Sequence, residues 1–286
     1  MWLAFALASA LLLAIRRIYE KELTAQFGNF SLSLVLQAAT LLPLLVLFFF
    51  LPLPRDVFSL PLSFWLPLSI IWIVLYPVQN YFLYRSLREG ELSEVTPVSA
   101  LLPILNLIPS FLVLHEIPSA YGFVGIIATV IATYLLLTDV PEGARLGYNR
   151  PVLFMLLTIA CTAIGSTLDK VAIEVSTPVF YTFMNALGAT VVFSILTYMY
   201  DQQKDLVRVK TMFWKLALLG VLLALAFVAF ATAFVLGPTS YTLAIRSGGF
   251  LIAALWGIFF LRESLSKKKI AALVLFALGT LALALG

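Results

Sequence analysis

The chain has 286 residues, 62% of them hydrophobic and 11% charged, with a mean hydropathy of +1.06. A soluble domain carries roughly 25% charged residues, so this composition excludes a globule that shows water a polar exterior, and lipid must solvate much of its surface. The net charge of +4 does not point to nucleic acid, because the basic residues sit in short loops between apolar runs, and the single cysteine, Cys161, excludes an internal disulfide, a cysteine-zinc cluster and CxxC chemistry.

Ten apolar runs follow one another, each long enough to cross ~30 Å of hydrocarbon at ~1.5 Å per residue. They cover residues 2–18, 31–51, 64–84, 93–114, 119–137, 152–171, 178–200, 213–235, 240–261 and 268–285. The first begins directly after Met1 with no basic stretch before it, which predicts a membrane helix rather than a cleaved signal. The fourth carries Pro97, Pro103 and Pro109, which makes it the least regular. The longest connection, 138–151, is too short for a separate soluble domain.

Fifteen of the eighteen Lys and Arg residues lie in or beside the loops after the odd-numbered runs. The opposite loops hold Arg55 and Lys170, and Arg246 lies inside the ninth run. Positive charge favours the cytoplasm, so this asymmetry predicts cytoplasmic odd loops and both termini outside.

The second half echoes the first. Glu20-Lys21 at the end of the first run aligns with Asp169-Lys170 at the end of the sixth, an offset of 149. At an offset of 147, Gly90, Ser93, Leu114, Glu116, Ser119 and Thr133 meet Gly237, Ser240, Leu261, Glu263, Ser266 and Thr280. A repeat of five runs must enter the membrane upside down the second time. Inverted repeats of this kind build secondary transporters, with the substrate site near the midplane.

Helical spacing then places polar groups on shared faces. Trp72, Tyr76, Asn80 and Tyr84 recur every four residues on the third run; Thr96, Ser99, Pro103, Asn106 and Ser110 line the fourth. Thr158, Thr162, Gly165 and Asp169 do so on the sixth, Tyr181, Asn185 and Gly188 on the seventh, and Thr242, Arg246, Gly249, Ala253 and Gly257 on the ninth. Polar groups facing lipid cost several kcal/mol, so such faces turn toward a cavity or a neighbouring helix. For Ser, Thr and Gly, helix packing is the competing reading and the more common one; for the asparagines the two readings are balanced. Arg246 stands out. An arginine near the membrane centre costs roughly 2.5–3.5 kcal/mol even on insertion scales and marks function by default. An ion pair with Asp169 is the structural rival. Arg16, Arg17, Glu20 and Lys21 fall at the end of the first run, where snorkelling accounts for them. Glu116 and Glu263 precede helices, whose positive N-termini attract carboxylates. His115 reads as a solvated interfacial residue.

The stretch Leu243-Ala244-Ile245-Arg246-Ser247-Gly248-Gly249-Phe250, then Phe260-Leu261-Arg262-Glu263 and the Lys267-Lys268-Lys269 run, resembles the ninth-helix signature of EamA-type transporters of the drug/metabolite transporter superfamily. Leu168-Asp169-Lys170 and Ala277-Leu278-Gly279-Thr280 are similar to that family too. The resemblance implies an all-α membrane protein of ten helices around a central cavity, with five-helix repeats over 1–140 and 150–286. It departs from the family in orientation: many members are described with cytoplasmic termini, and the charge asymmetry here predicts the reverse.

Together these readings predict a secondary transporter in the inner (cell) membrane that moves a small polar, anionic or zwitterionic metabolite, such as an amino acid or a phosphorylated compound, by alternating access. Expected substrate-binding residues are Arg246, Trp72, Tyr76, Asn80, Tyr84, Ser99, Asn106, Asn185 and Trp256. Asp169, Lys170, Glu20 and Lys21 are the expected gating or coupling residues. Expected partners are the substrate, membrane lipids and a proton or counter-substrate, without nucleic acid, in a monomer or weak homodimer. No metal, cofactor or catalytic residue is expected. The sequence has no phosphate-binding loop, HExxH, GxSxG or dinucleotide fingerprint, so ATP-driven pumping has no residues to run on. Rivals are a small-multidrug-type exporter of organic cations, which needs a carboxylate at the centre of a helix, and a membrane-embedded transferase, which needs clustered catalytic residues.

Overall fold

A computed structural model describes residues 1–24, 26–48, 50, 60–90, 95–138, 150–249 and 267–286. Among them the chain is helical throughout and forms no strand. In order come α1 (Trp2–Thr24), α2 (Asn29–Leu47), α3 (Leu62–Ile70), a π turn (Ile71–Leu75), α4 (Tyr76–Glu89), a 3-10 turn (Thr96–Leu101), α5 (Leu102–Leu114), α6 (Ala120–Leu137), α7 (Arg150–Glu174), α8 (Pro178–Met199), a 3-10 segment (Gln203–Val209), α9 (Phe213–Leu236), α10 (Thr239–Ser247) and α11 (Lys267–Leu285).

Prolines account for the irregular joints. Pro77 has no N–H to give the Ile73 carbonyl four residues back, and the rod α3–α4 widens into the π turn there. In the fourth run the chain starts as a 3-10 turn with Pro97 in its first turn, and Pro103 opens α5, where a missing N–H costs nothing. Pro109 remains inside α5. His115 ends that helix in the left-handed region (φ 55°), a conformation that L side chains rarely adopt. So His115 is a helix stop rather than merely an interfacial side chain. The first helix runs on to Thr24, two turns past the expected end at 18.

Packing is inside out relative to a soluble bundle. Leu42, Ile73, Ile108 and Val124 stand well exposed, whereas Asn106, Thr133, Thr40 and Thr242 are completely buried. Inside, threonines return their hydroxyl to the carbonyl one turn back, as Thr133 does to Thr129 and Thr158 to Phe154, so these hydroxyls are satisfied without a partner on a neighbouring helix. Among the described residues, six stretches are long and apolar enough to cross a membrane: Asn29–Leu47, Leu62–Ser86, Arg150–Glu174, Pro178–Met199, Phe213–Leu236 and Lys267–Leu285. Trp2–Arg16, Val98–Leu114 and Ala120–Leu135 are shorter apolar helices, and α10 opens the expected ninth run, whose remainder lies outside the described residues.

Contacts sort the helix ends into two sets. At one end, Asp205 accepts from the Gly28 amide (2.7 Å) and the Ser31 hydroxyl, and Gln202 accepts from the Phe30 and Ser31 amides, so the segment after α8 satisfies the free N–H groups that open α2. The Ser86 hydroxyl donates to the Pro151 carbonyl and the Lys268 ammonium to that of Thr138 at this same end. At the other end Glu116 accepts from the Thr239 amide at the start of α10 (2.9 Å) and pairs with Lys170 (2.5 Å), which also donates to the Gly237 carbonyl. The Tyr241 hydroxyl meets the Ser119 amide there, and Gly286 lies against Ser119 and Gly122. Glu116 thus serves a helix N-terminus, but that of α10 from the other half of the chain and not that of the helix it precedes in sequence.

Candidate functional site

A cavity of about 520 Å³ lies at the centre of the bundle, walled by α1, α2, the π turn, α4, the 3-10 turn before α5, and α7 to α10. It takes shape because α4, α7, α8 and α10 turn polar stripes inward, while α9 closes it with Leu223, Phe227, Phe230 and Ala231. Tyr76, Asn80 and Tyr84 face it from α4, Asp169 and Thr162 from α7, and Tyr181 and Asn185 from α8. α10 contributes Arg246 and Ser247.

The polar groups form connected sets. Asn185 accepts from the Trp72 indole N–H (3.1 Å), and its amide meets the Tyr76 hydroxyl. Trp72 reaches Asn185 only because Gly188 offers no side chain: a Cβ there would stand 2.1 Å from the indole. Tyr76 in turn stacks on Phe193 at 5.9 Å. Next to this set the Tyr181 hydroxyl donates to the Asp169 carboxylate. The Arg246 guanidinium lies 3.9 Å from the centroid of Phe230, close enough for a cation–π contact, and near enough to Asp169 and Tyr76 for its charge to act on both. A cation on an aromatic shelf, a carboxylate held by tyrosine and several amides therefore share one chamber with both signs of charge.

The structure brings together most of the predicted site. Arg246, Tyr76, Asn80, Tyr84, Ser99, Asn185 and Asp169 all line the cavity. Trp72 supports it from behind through Asn185. Asn106 does not line it. Its amide nitrogen is spent on the Ala163 carbonyl and on the Ser166 and Thr167 hydroxyls, which makes it a clamp between α5 and α7. Lys170 turns away from its neighbour Asp169 to bind Glu116 at the far end. Trp256 and the side chains of Glu20 and Lys21 lie outside the described residues. Arg16 corrects an expectation: α1 continues past it by two turns, so its side chain reaches the cavity wall instead of the helix end. Gln37, Gln79 and Phe230 also line the cavity and were not foreseen. A lone amide in an apolar run, as Gln37 is, was the available signal; for Phe230 no sequence signal separates it from the other phenylalanines.

The family model of EamA-like transporters matches residues 1–138 and again 149–285. One solved crystal structure superposes with a TM-score of 0.76 at 14% identity, covering 99% of this chain and 96% of that one, a likeness of fold. No functionally curated protein matches the chain.

Proposed function

The chain belongs to the EamA-like transporter family, and on that premise we propose that it is a secondary transporter of a small anionic or zwitterionic metabolite. The family consists of transporters of small molecules, and the protein is a multi-pass membrane protein. The observation that carries the substrate reading is Arg246. It stands in the central cavity on the Phe230 ring, where lipid cannot solvate it and a ligand carboxylate or phosphate can form two parallel hydrogen bonds to its fork. Asn185, Asn80 and the tyrosines around it supply the hydrogen-bonding groups that orient a polar ligand.

Alternating access through ten helices in two inverted halves, 1–140 and 150–286, fits the packing. Across the two halves α1 packs on α9 and α4 on α7, and likewise α5 packs on α7 and α10 on α1. Each pair turns into the other when the halves are exchanged. Gly90 abuts Pro151, and Gly237, its partner in the repeat, abuts Trp2. The two residues lie at the starts of α7 and α1, at opposite ends of the bundle, as an inverted repeat requires. An exporter of organic cations fits less well, because the one carboxylate among the described residues that line the cavity, Asp169, already holds Tyr181 and lies within reach of the Arg246 charge.

Two measurements test these readings. A thermal-shift screen of detergent-purified protein against a metabolite collection should return stabilising anions or zwitterions, since a ligand that binds only the folded state raises its stability. Hits confined to organic cations would overturn the substrate class. For orientation, cysteines placed at Lys204 and Lys268 should react only from the cytoplasm and one at Gly286 only from outside. A cytoplasmic Gly286 would reverse the topology and leave the site unchanged.

A further inference from the structure

A second pocket of about 350 Å³ lies between the start of α2, the end of α4 and the end of α8, at the end of the bundle where Asp205 and Gln202 cap α2. Its lining includes Arg85, Arg88, Glu89, Tyr81 and Tyr200. Among the described residues that line it, two guanidiniums stand against one carboxylate, a net positive charge. Arg85 is held at Glu89 (3.2 Å) with its guanidinium near the Tyr81 and Phe154 rings, 5.6 and 5.9 Å from their centroids.

Among the described residues, the one that lines both this pocket and the central cavity is Tyr84. Its hydroxyl donates to the Asn29 carbonyl (3.0 Å) and meets the Ser33 hydroxyl at 3.4 Å, so it ties α4 across to α2. The Phe30 ring stands edge-on to Tyr84 and packs against Tyr200 at 4.8 Å, which completes an aromatic partition. We propose that the Arg85–Arg88 pocket is a vestibule that collects anionic substrate, and that Tyr84 is the gate between it and the central cavity. The inference rests on the anionic-substrate reading of Arg246 and adds a second binding station and a route. Anion chemistry favours it because a positive pocket at the mouth raises the local anion concentration, and Arg246 then draws the ligand inward. The gate opens by a rotation of Tyr84 about its side-chain torsions, which releases its hydrogen bonds to Asn29 and Ser33 for water to take up.

The test uses the full-length protein with Cys161→Ser and a reporter cysteine, Thr162→Cys, on the cavity wall. Its reaction rate is measured with a sulfonate-bearing and a trimethylammonium-bearing methanethiosulfonate of similar size. The expected results are threefold. Arg85→Gln/Arg88→Gln slows the anionic reagent about tenfold and leaves the cationic one equal or faster; raising salt well above 0.1 M, where screening acts within ~10 Å, removes that difference; and Tyr84→Ala speeds both reagents, with Tyr84→Phe intermediate. Reporter rates that ignore both arginines and Tyr84 overturn the proposal. A lipid phosphate is the other anion such a pocket fits. If nanodiscs containing phosphatidylglycerol, compared with phosphatidylcholine alone, abolish the arginine dependence, the pocket holds a headgroup and the access role falls. None of these rates depends on Arg246 binding a metabolite, so failure here leaves the central site standing, and its failure is read separately in the thermal-shift screen.

Discussion

Arg246→Ala should abolish ligand-induced stabilisation and uptake while the protein still expresses and folds. The guanidinium is the principal cationic anchor of the proposed site, and its loss removes both hydrogen bonds to a ligand carboxylate or phosphate together with their charge. The cost to folding should stay small, because the contact with Phe230 is worth about 0.5–2 kcal/mol. Arg246→Lys should recover part of the binding at most, since an ammonium keeps the charge and loses the planar fork. A structural arginine predicts a different pattern. If Arg246 serves mainly to neutralise Asp169, removing it strands a buried carboxylate at about 3–5 kcal/mol, and the variant folds poorly. Melting temperature without ligand, followed by ligand binding, separates the two for both variants. Stable Arg246→Ala protein that binds at near-native affinity ends the substrate role. Unstable protein moves the residue to the scaffold.

Lys170→Ala should be the most destabilising single change at the opposite end of the bundle. Lys170 is only 8% exposed, pairs with Glu116 at 2.5 Å and donates to the Gly237 carbonyl. Glu116 also accepts from Thr239, so these groups bind the α5–α6 connection, α7 and the α9–α10 turn into one knot. Removing the ammonium leaves a poorly solvated carboxylate and an orphan carbonyl, a loss of roughly 3–5 kcal/mol. The double variant Lys170→Met/Glu116→Gln should lose less than Lys170→Ala alone, because neutral groups carry no desolvation penalty for an unpaired charge. A single variant that melts with the parent protein would show that the pair holds nothing together. The knot also bears on gating. A transporter that opens at this end must part these groups, so Lys170→Ala protein that does fold should label faster at a cysteine placed at Ser119. The expected coupling role of Lys170 thus becomes a proposal about closure of one end, and Asp169, one residue earlier, belongs to the chamber.

Membrane residence, the helical runs and the stripe-bearing faces were legible in the sequence because each depends on local periodicity. Apolar length specifies a span; a spacing of four puts Tyr76, Asn80 and Tyr84 on one side of one helix; a charge inside an apolar run announces itself, as Arg246 does. What each face meets is another matter. Asn106 and Asn185 are the same residue in similar stripes, yet Asn106 is consumed by α7 and Asn185 by Trp72 and Tyr76 at the cavity. That outcome depends on which helix lies opposite and how closely glycine lets it approach. Arg16 looked terminal until α1 proved longer than its apolar run, since helical hydrogen bonding continues through polar residues that hydropathy excludes. Adjacent residues Asp169 and Lys170 part company because consecutive positions on a helix point ~100° apart, toward different neighbours. The sharing of Tyr84 between two cavities required three helix ends to converge, and no pattern along one segment encodes that. The helices were written locally; the chamber and its exits were decided by which faces the tertiary fold set against each other.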